Sequence, residues 1–344
     1  MFTPAILVRL RPITPWRIGP DSGSLEQAAP FMHSDAVFGA LCEAMAQLGV
    51  LEEWLGAAAP TFGAPACRVT SAFPFQRTAL YVPPPASIWP PPQAPARPRW
   101  KGASLIPAGA VRDLLKGVAL KEDDWFVDAH SGCLVPVGTR ATTGPFRVFS
   151  RSFAAVDRVS ASSVVTRTVS CLQFAPGSGL WFAVTFDNPT AYAIWAPKIE
   201  QALRILADTG IGGLRSAGFG RSRPPVIQAG ILEDLLLPGV MPASNAANPP
   251  GAWWLLSLFN PSAADQIDWA AGNYQIIERS GRTEGALKQS TRVVREGSVI
   301  VSPSAPAGRC LDVAPESASH QVLRPGFAVS LSIPWQAVPQ QVSQ

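Results

Sequence analysis

Charge is scarce in this sequence. Only 15% of its 344 residues are Asp, Glu, Lys or Arg, and 28 basic against 24 acidic side chains leave a formal net charge of +4. So small an excess does not indicate nucleic-acid binding by itself, and is compatible with one local basic surface. Cysteine is also sparse: Cys42, Cys67, Cys133, Cys171 and Cys310 are odd in number, scattered and never spaced C-x-x-C. That argues against a disulfide framework and a zinc site, and fits a reducing cytoplasm. His130 and His320 have no ligand spacing, so neither a metal nor a cofactor is expected. Long apolar runs are missing too. Arg9 and Arg11 interrupt the first, and the uncharged stretch from Leu235 to Ala264 is broken by five prolines; neither a signal peptide nor a membrane span is expected. With 47% hydrophobic residues the chain reads as globular and long enough for two domains.

Against that background one stretch stands out. TGIGGLRSAGFGRSRPP, Thr209 to Pro225, holds five glycines and three arginines in seventeen residues and no acid. Gly210, Gly212, Gly213, Gly218 and Gly220 can take positive φ and allow close backbone approach, while Arg215, Arg221 and Arg223 carry forked donors suited to phosphate. A polyanion is the expected ligand, with Leu214, Ser216 and Phe219 inside the loop as further candidates. Two nucleotide loops are excluded by spacing: G-x-x-x-x-G-K-[ST] lacks its lysine, and G-x-G-x-x-G fails at Arg215. Those loops open a helix, whereas this one follows the helical pattern of PKIEQALRILADTG. The alternative is a long helix cap running into a turn.

Taken in order, FTPAILVRL is a first core strand, and FMHSDAVFGALCEAMAQLG is a helix with Ser34 as its N-cap and Val37, Leu41, Ala44, Met45 and Leu48 as its apolar stripe. CRVTSAFPFQRTALYVPPP reads as a strand and an irregular turn leading into a proline-rich segment, 83 to 98, expected to be extended and exposed. IPAGAVRDLLK is a short helix. From 139 to 167, Arg140, Arg147, Arg151, Arg158 and Arg167 face the single acid Asp157 among β-formers: a projecting basic hairpin, or a solvated loop with incidental arginines. LQFAPGSGLWFAVTF is read as a hairpin about PGSG. A Pro/Ala/Asn-rich linker marks a boundary near 225 to 250, and AWWLLSLF, NYQIIERS and GSVIVS make the last third β-rich. The fold class is α+β. In the first unit helices cover one sheet face and leave the other free, as in RNA-recognition-type domains.

HSDAVFGALCEA (33 to 44), SAFPFQRTALYVPPP (71 to 85), AAVDRVSASS (154 to 163), GLWFAVTF (179 to 186), GIGGLRSAGFGR (210 to 221) and REGSVI (295 to 300) together resemble the RAMP proteins of CRISPR type III effector complexes, and within them the fourth-subunit family of the type III-A Csm complex. The resemblance implies two ferredoxin-like (RRM-like) domains, 1–230 with an inserted arm at about 83–167, and 231–344. It implies a non-catalytic subunit that caps the ribonucleoprotein by holding the 5′ handle of the crRNA. Its implied partners are the large polymerase-like subunit and the repeated backbone subunit, with target RNA met only indirectly and no membrane. The proline run and the linker at 238–250 are not features of every member.

His33 is the one candidate general acid or base, which would make the chain a metal-independent endoribonuclease of repeat RNA; an RNA contact shared with Ser34, or a structural role at the helix start, are the other readings. Asp35 has no second carboxylate close in sequence, and a first-turn acid needs no further function. Phe219 either stacks on a base or anchors its loop. Arg147, Arg151 and Arg158 are the arm residues placed on RNA.

Overall fold

The computed structural model describes residues 4–20, 22–91, 100, 102–138, 143–157, 159–160, 163–240, 251–283 and 286–334. Arg140, Arg158, most of the second half of the proline run and the linker 241–250 fall outside them.

The first half contains β1 (Pro4–Leu10), α1 (Ser34–Gln47), α2 (Leu51–Ala58), β2 (Cys67–Val69), β3 (Phe73–Gln76), β4 (Ala79–Val82), β5 (Ile106–Pro107), α3 (Ala108–Leu115), β6 (Trp125–Val127) and β7 (Leu134–Pro136). It continues with β8 (Phe146–Val156), β9 (Ser163–Phe174), β10 (Ser178–Phe186), α4 (Pro189–Thr209), β11 (Val226–Ile231) and α5 (Leu232–Leu236). The main sheet runs β11-β1-β10-β3-β4-β5, with β2 also on β10. Every pairing is antiparallel. Along the path β1, α1, β3, β10, α4, β11 this places the fourth, first, third and second strands side by side, the order of a split β-α-β-β-α-β unit.

Both faces of this sheet are buried over β1, β10 and β3, which corrects the expectation of a free face, while the edge strand β11 is largely exposed. Val8 lies opposite Phe182 and Leu7 opposite Ala183 in β1 and β10, so alternate pairs point to opposite sides. Leu10 and Phe182 border one small void with Leu41 of α1 and Leu203 and Leu206 of α4, which defines the helical side. On the other side Trp181 packs on Phe73, and its indole donates to the Tyr81 carbonyl at 3.0 Å. A single core continues from there through Trp100, Leu105 and Val135 to Trp254, Leu331 and Ile333 of the last third. The run AILV in β1 and the wholly buried β10 carry the signal for this: near-continuous apolarity marks a strand covered twice.

The last third holds β12 (Gly251–Leu255), β13 (Asp268–Asn273), β14 (Ile276–Arg279), β15 (Arg282–Thr283), β16 (Ala286–Leu287), β17 (Thr291–Val294), β18 (Val299–Ser302), β19 (Gly308–Asp312), β20 (Leu323–Phe327) and β21 (Ser330–Ile333). Its four-stranded sheet is ordered β13-β18-β12-β21. Among the described residues of 251–334 there are strands and no helix, so they differ from the ferredoxin-like unit expected there. Ala252, Trp254 and Leu256 join the main core, while Leu255 joins Phe259, Val294 and Ile300 in a second cluster. The missing helices are replaced on one face by the first unit itself.

Three local expectations change. The PGSG segment is not a hairpin turn: β10 pairs with β1, β2 and β3, and β9 pairs with β8 through eleven facing residue pairs. The turn therefore passes the chain from the arm into the sheet. α4 begins at Pro189 rather than Pro197, because Asn188 caps it by accepting from the Ala191 amide at 2.9 Å. The proline run is largely covered where it is described, with Pro90 its exposed residue. Pro83 and Pro85 are buried, the Pro83 carbonyl accepts from the Trp254 indole at 3.2 Å, and Ala86 N donates to Gly297 O at 2.9 Å. A segment without backbone donors at its prolines suits this seam between the two units.

Candidate nucleic-acid interface

α4 ends at Gly210, and the following loop folds back over the segment 13–17. Gly213 N donates to Arg17 O at 2.8 Å, Gly220 N to Pro15 O at 2.9 Å, and Ile211 N to Gly220 O at 3.0 Å. Gly218 N donates to Arg215 O at 2.8 Å, within the loop. Of the amides around Gly212, Gly213, Gly218 and Gly220 that are expected to line phosphates, those of Gly213, Gly218 and Gly220 are thus engaged by the protein's own carbonyls. The glycines answer to crowding instead. A Cβ on Gly220, at φ +81°, would stand 2.1 Å from Ile211 O; on Gly212 it would stand 2.5 Å from Arg17 O, and on Gly210 2.5 Å from Phe219 O. Gly218 shares the positive φ, but a Cβ there meets nothing within 4 Å.

The side chains of the loop divide. Phe219 is only 3% exposed and packs with Val169 and Cys171 of β9, with Leu214 at the margin. It is the anchoring peg of the two readings, not a stacking platform. Arg215 is held by Glu43 of α1. Ser216, Arg221 and Arg223 are exposed. Arg223 N donates to Arg11 O at 2.8 Å, which sets exposed Arg11 beside it, and Arg221 N donates to Thr14 Oγ1 at 3.0 Å. Arg11, Arg221 and Arg223 form a surface strip of cations, the feature that the sequence's charge total concealed.

β8 and β9 form a long two-stranded arm, the first of the two readings offered for 139–167. Arg151 lies 5.5 Å from the Phe149 ring centre and 5.7 Å from that of Phe219, so a cation–π sandwich ties the arm to the glycine loop. Arg147 donates twice across the ladder to Gln173 Oε1, at 3.0 and 2.7 Å. Arg167 is exposed beside them.

His33, Ser34 and Asp35 lie elsewhere, at the seam between the units. The N-cap position is His33, and Ser34 is buried inside the helix start: its N donates to Ser71 Oγ at 2.8 Å and its Oγ accepts from Leu258 N at 3.1 Å. Ser34 therefore joins the two units and does not reach an RNA surface. Asp35 accepts from Arg279 at 3.2 and 2.7 Å and pairs with Arg324 at 3.5 Å. His33 Nδ1 stands 2.8 Å from Glu296 Oε1, which Ser71 Oγ also meets. Burial works against the imidazolium, yet the charge and hydrogen bond of Glu296, helped by Asp35, hold His33 above its ordinary value. Burial would likewise raise Glu296, but the charge and hydrogen bond of His33 and the hydroxyl of Ser71 hold it below its own. The Nδ1 of His33 is thereby taken up by a buried structural partner. Glu296, Arg279 and Arg324 were missed in the sequence; REGSVI held the first, but its partner is 263 positions away.

Burial pushes the thiols of Cys42, Cys67 and Cys133 up to about 12, far from thiolate chemistry. Among the described residues no group of His, Cys, Asp and Glu is arranged to hold a metal ion, and no helix is long and apolar enough to cross a membrane.

Comparison with known proteins fits this geometry. Residues 249–333 match the family model of the CRISPR Csm4 C-terminal domain. The fold is similar to that of a chain in the crystal structure of the Csm3–Csm4 subcomplex of the type III-A CRISPR–Cas interference complex, with a TM-score of 0.63 and 14% identity over 96% of this chain and 99% of that one. It is also similar to a chain in the Csm1–Csm4 cassette in complex with cA4, with a TM-score of 0.58 and 16% identity over 97% and 99%. Csm4 is the component common to both assemblies. No curated protein sequence matches the chain.

Proposed function

We propose that this chain, whose residues 249–333 match the Csm4 C-terminal domain and whose fold is similar to chains of Csm4-containing structures, is a Csm4, the subunit that caps a type III-A CRISPR effector complex by holding the 5′ handle of the crRNA. It takes part in antiviral defence, within the cytoplasm. The observation that carries the RNA contact is the strip Arg11, Arg221 and Arg223, exposed along the glycine loop beside an arm that carries Arg151 and Arg167. Forked guanidiniums on a pre-formed backbone suit a run of phosphates, and a strand of fixed sequence suits a fixed surface. The amides of Gly213, Gly218 and Gly220 are taken by the chain's own carbonyls; the loop acts by positioning arginines and by seating the arm through Phe219. The division into 1–230 and 231–344 is part of the same reading, with the His33–Asp35 seam joining the two.

The partners follow from the relatives. One structurally similar chain was crystallised with Csm3 and others with Csm1, so this chain is expected to meet a backbone subunit and a large polymerase-like subunit of the same kinds, and target RNA only through them. The role is non-catalytic: His33 is engaged by Glu296 and the thiols are protonated.

The test is reconstitution. The chain mixed with its partners and with handle-bearing crRNA is expected to form a complex that crRNA with a scrambled handle forms poorly. Repeat RNA incubated with the chain and EDTA is expected to stay intact. A single site-specific cut that disappears in His33→Ala would overturn the non-catalytic reading in favour of the endoribonuclease.

A further inference from the structure

The two edges of the main sheet are finished differently. β5 closes one of them with two buried residues, Ile106 and Pro107, and leads straight into α3; so short a strand, ending in proline, offers no ladder to another chain. β11 forms the other with six residues in unbroken register against β1, from Pro4 opposite Ile231 to Arg9 opposite Val226. Val226 is 41% exposed, and Gln228, Ala229 and Gly230 are exposed in succession, so neither face of this strand is closed over. Neither a bulge nor a charge guards it: the register does not shift, and 224–232 contains no charged residue. α5 folds back against β1 and β11 from the side of Gly230, where an added Cβ would meet Leu235 at 3.0 Å, and among the described residues no backbone hydrogen bond reaches the outer edge.

Charges gather at the two ends of this neutral strand, and their signs are opposite. Arg221 and Arg223 precede it, and Glu233 and Asp234 follow it. Arg223 and Asp234 are exposed, and Glu233 Oε2 has no hydrogen-bond partner among the described residues. Ile13, 62% exposed, is held at the arginine end by the bond from its amide to Arg221 O at 2.9 Å. A positive end and a negative end separated by a bare β-edge make a pattern that is complementary to itself when reversed. Antiparallel pairing about a two-fold axis performs that reversal. Outward backbone groups recur at every second residue, so a strand that pairs with its own copy sets one residue on the axis. With Gln228 there, Val226 faces Gly230 and Ile227 faces Ala229, while Arg223 of each copy comes to Glu233 of the other. With Ala229 there instead, Arg223 would come to Leu235.

We propose that the free chain pairs with a second copy of itself through the outer edge of β11, antiparallel and centred on Gln228, with Arg223 and Glu233 forming an ion pair at each end. The main sheets of the two copies then run on as one. The ladder is short beside a standard protein interface, so the pair forms reversibly and dissociates on dilution. Ion pairs at its exposed ends make it weaker at high salt. Arg223 also belongs to the strip assigned to RNA above; Gln228 does not, and the test therefore acts on Gln228.

Sedimentation velocity of the full chain, without RNA or partners and over a concentration series at low and high salt, reads the association. The parent is expected to pass from monomer to dimer as concentration rises, and hydrogen exchange in the peptide 226–231 to slow over the same range. Because the residue on the axis faces itself, Gln228→Lys and Gln228→Glu should each weaken the dimer by about fivefold or more, through like charges set opposite one another, while an equal mixture of the two variants should associate at least as well as the parent. Gln228 is exposed, so both variants are expected to melt like the parent, and melting curves check this. A parent that stays monomeric throughout the series overturns the proposal. So does a dimer that neither variant weakens, because it then forms through another surface. If each variant dissociates the dimer and the mixture does not restore it, β11 does not face its own copy at Gln228 and the proposal falls as well.

Discussion

The start of α1 and the loop after α4 are alike on paper, each a short polar motif attached to a helix end, and the molecule uses them in opposite ways. HSD at 33–35 turns its side chains inward: Ser34 reaches Ser71 and Leu258, Asp35 reaches Arg279 and Arg324, and His33 reaches Glu296. The glycine loop closes its backbone on itself and turns Arg221 and Arg223 outward. Polar residues with complementary partners far along the chain hold two units together; polar residues without an acid nearby remain for a ligand. The difference lies in what surrounds each motif in three dimensions, since nothing within either motif announces it.

The largest expected effect tests the inward half. Asp35→Ala removes the carboxylate between two guanidiniums that are about as buried as it is. Uncompensated buried charge of this kind costs about 3–5 kcal/mol. Urea unfolding is expected to show that loss, with the two units separating first. A loss below about 1 kcal/mol would mean that the apolar seam, and not the ion cluster, joins them.

Next in size is a contrast inside the loop. Gly220→Ala must accept positive φ and also move Ile211 O, whereas Gly218→Ala carries only the backbone cost, about 1–2 kcal/mol. Gly220→Ala is therefore expected to be clearly the less stable in thermal unfolding. Equal melting shifts would show that the loop relaxes freely and is not a tight structural element.

A smaller effect follows from His33 and Glu296. The folded value of His33 lies above its ordinary 6.5, so its contribution is full below that pH and is lost as pH rises through the folded value. Glu296 lies below its ordinary 4.5, so its contribution is present above that pH and lost as pH falls through the folded value. Stability of the parent is expected to be highest between these limits and to decline on the alkaline side by about 1 kcal/mol, the order of one charge-assisted hydrogen bond. In His33→Gln the alkaline decline should vanish and the acid decline should shrink, because the charge and hydrogen bond of His33 lead the causes that hold Glu296 down. Unfolding curves collected from pH 3 to pH 9 read both limbs.

Much of the fold was legible because it is written in short-range pattern. The stripe Val37, Leu41, Ala44, Met45 gave α1, and the arginines among β-formers gave the arm. PGSG misled because a glycine turn between two β-rich runs says that the chain turns, not which strands pair; β10 satisfies its edges with β1 and β3, and β9 its own with β8. The covered sheet face was foreshadowed in β10, whose nine residues are all buried and form a near-continuous apolar run, the mark of a strand covered on both faces. At the site, positive φ at Gly210, Gly212, Gly218 and Gly220 was readable from glycine itself. The use of the amides was not, since the acceptors at Pro15 and Arg17 lie far back along the chain. The partners of His33 and Asp35 were hidden for the same reason.

The outward half of the comparison carries the smallest effect on stability and the most specific one on binding. Arg221 and Arg223 are exposed, and their side chains support nothing in the fold, so replacing either by Ala is expected to change unfolding by no more than about 0.5 kcal/mol. Binding should respond differently. Removing one phosphate interaction with a single strand lowers the log–log dependence of affinity on salt by roughly 0.7, whatever the base sequence. Arg221→Ala and Arg223→Ala should each flatten that dependence by about one such step, and the double variant by two, with handle and scrambled RNA affected alike. Arg215→Ala supplies the contrast within the same loop: its guanidinium is held by Glu43, so its removal should leave the slope unchanged. If Arg215→Ala flattens the slope as much as Arg221→Ala does, the ion pair with Glu43 gives way to RNA, and the division of the loop into inward and outward arginines is wrong.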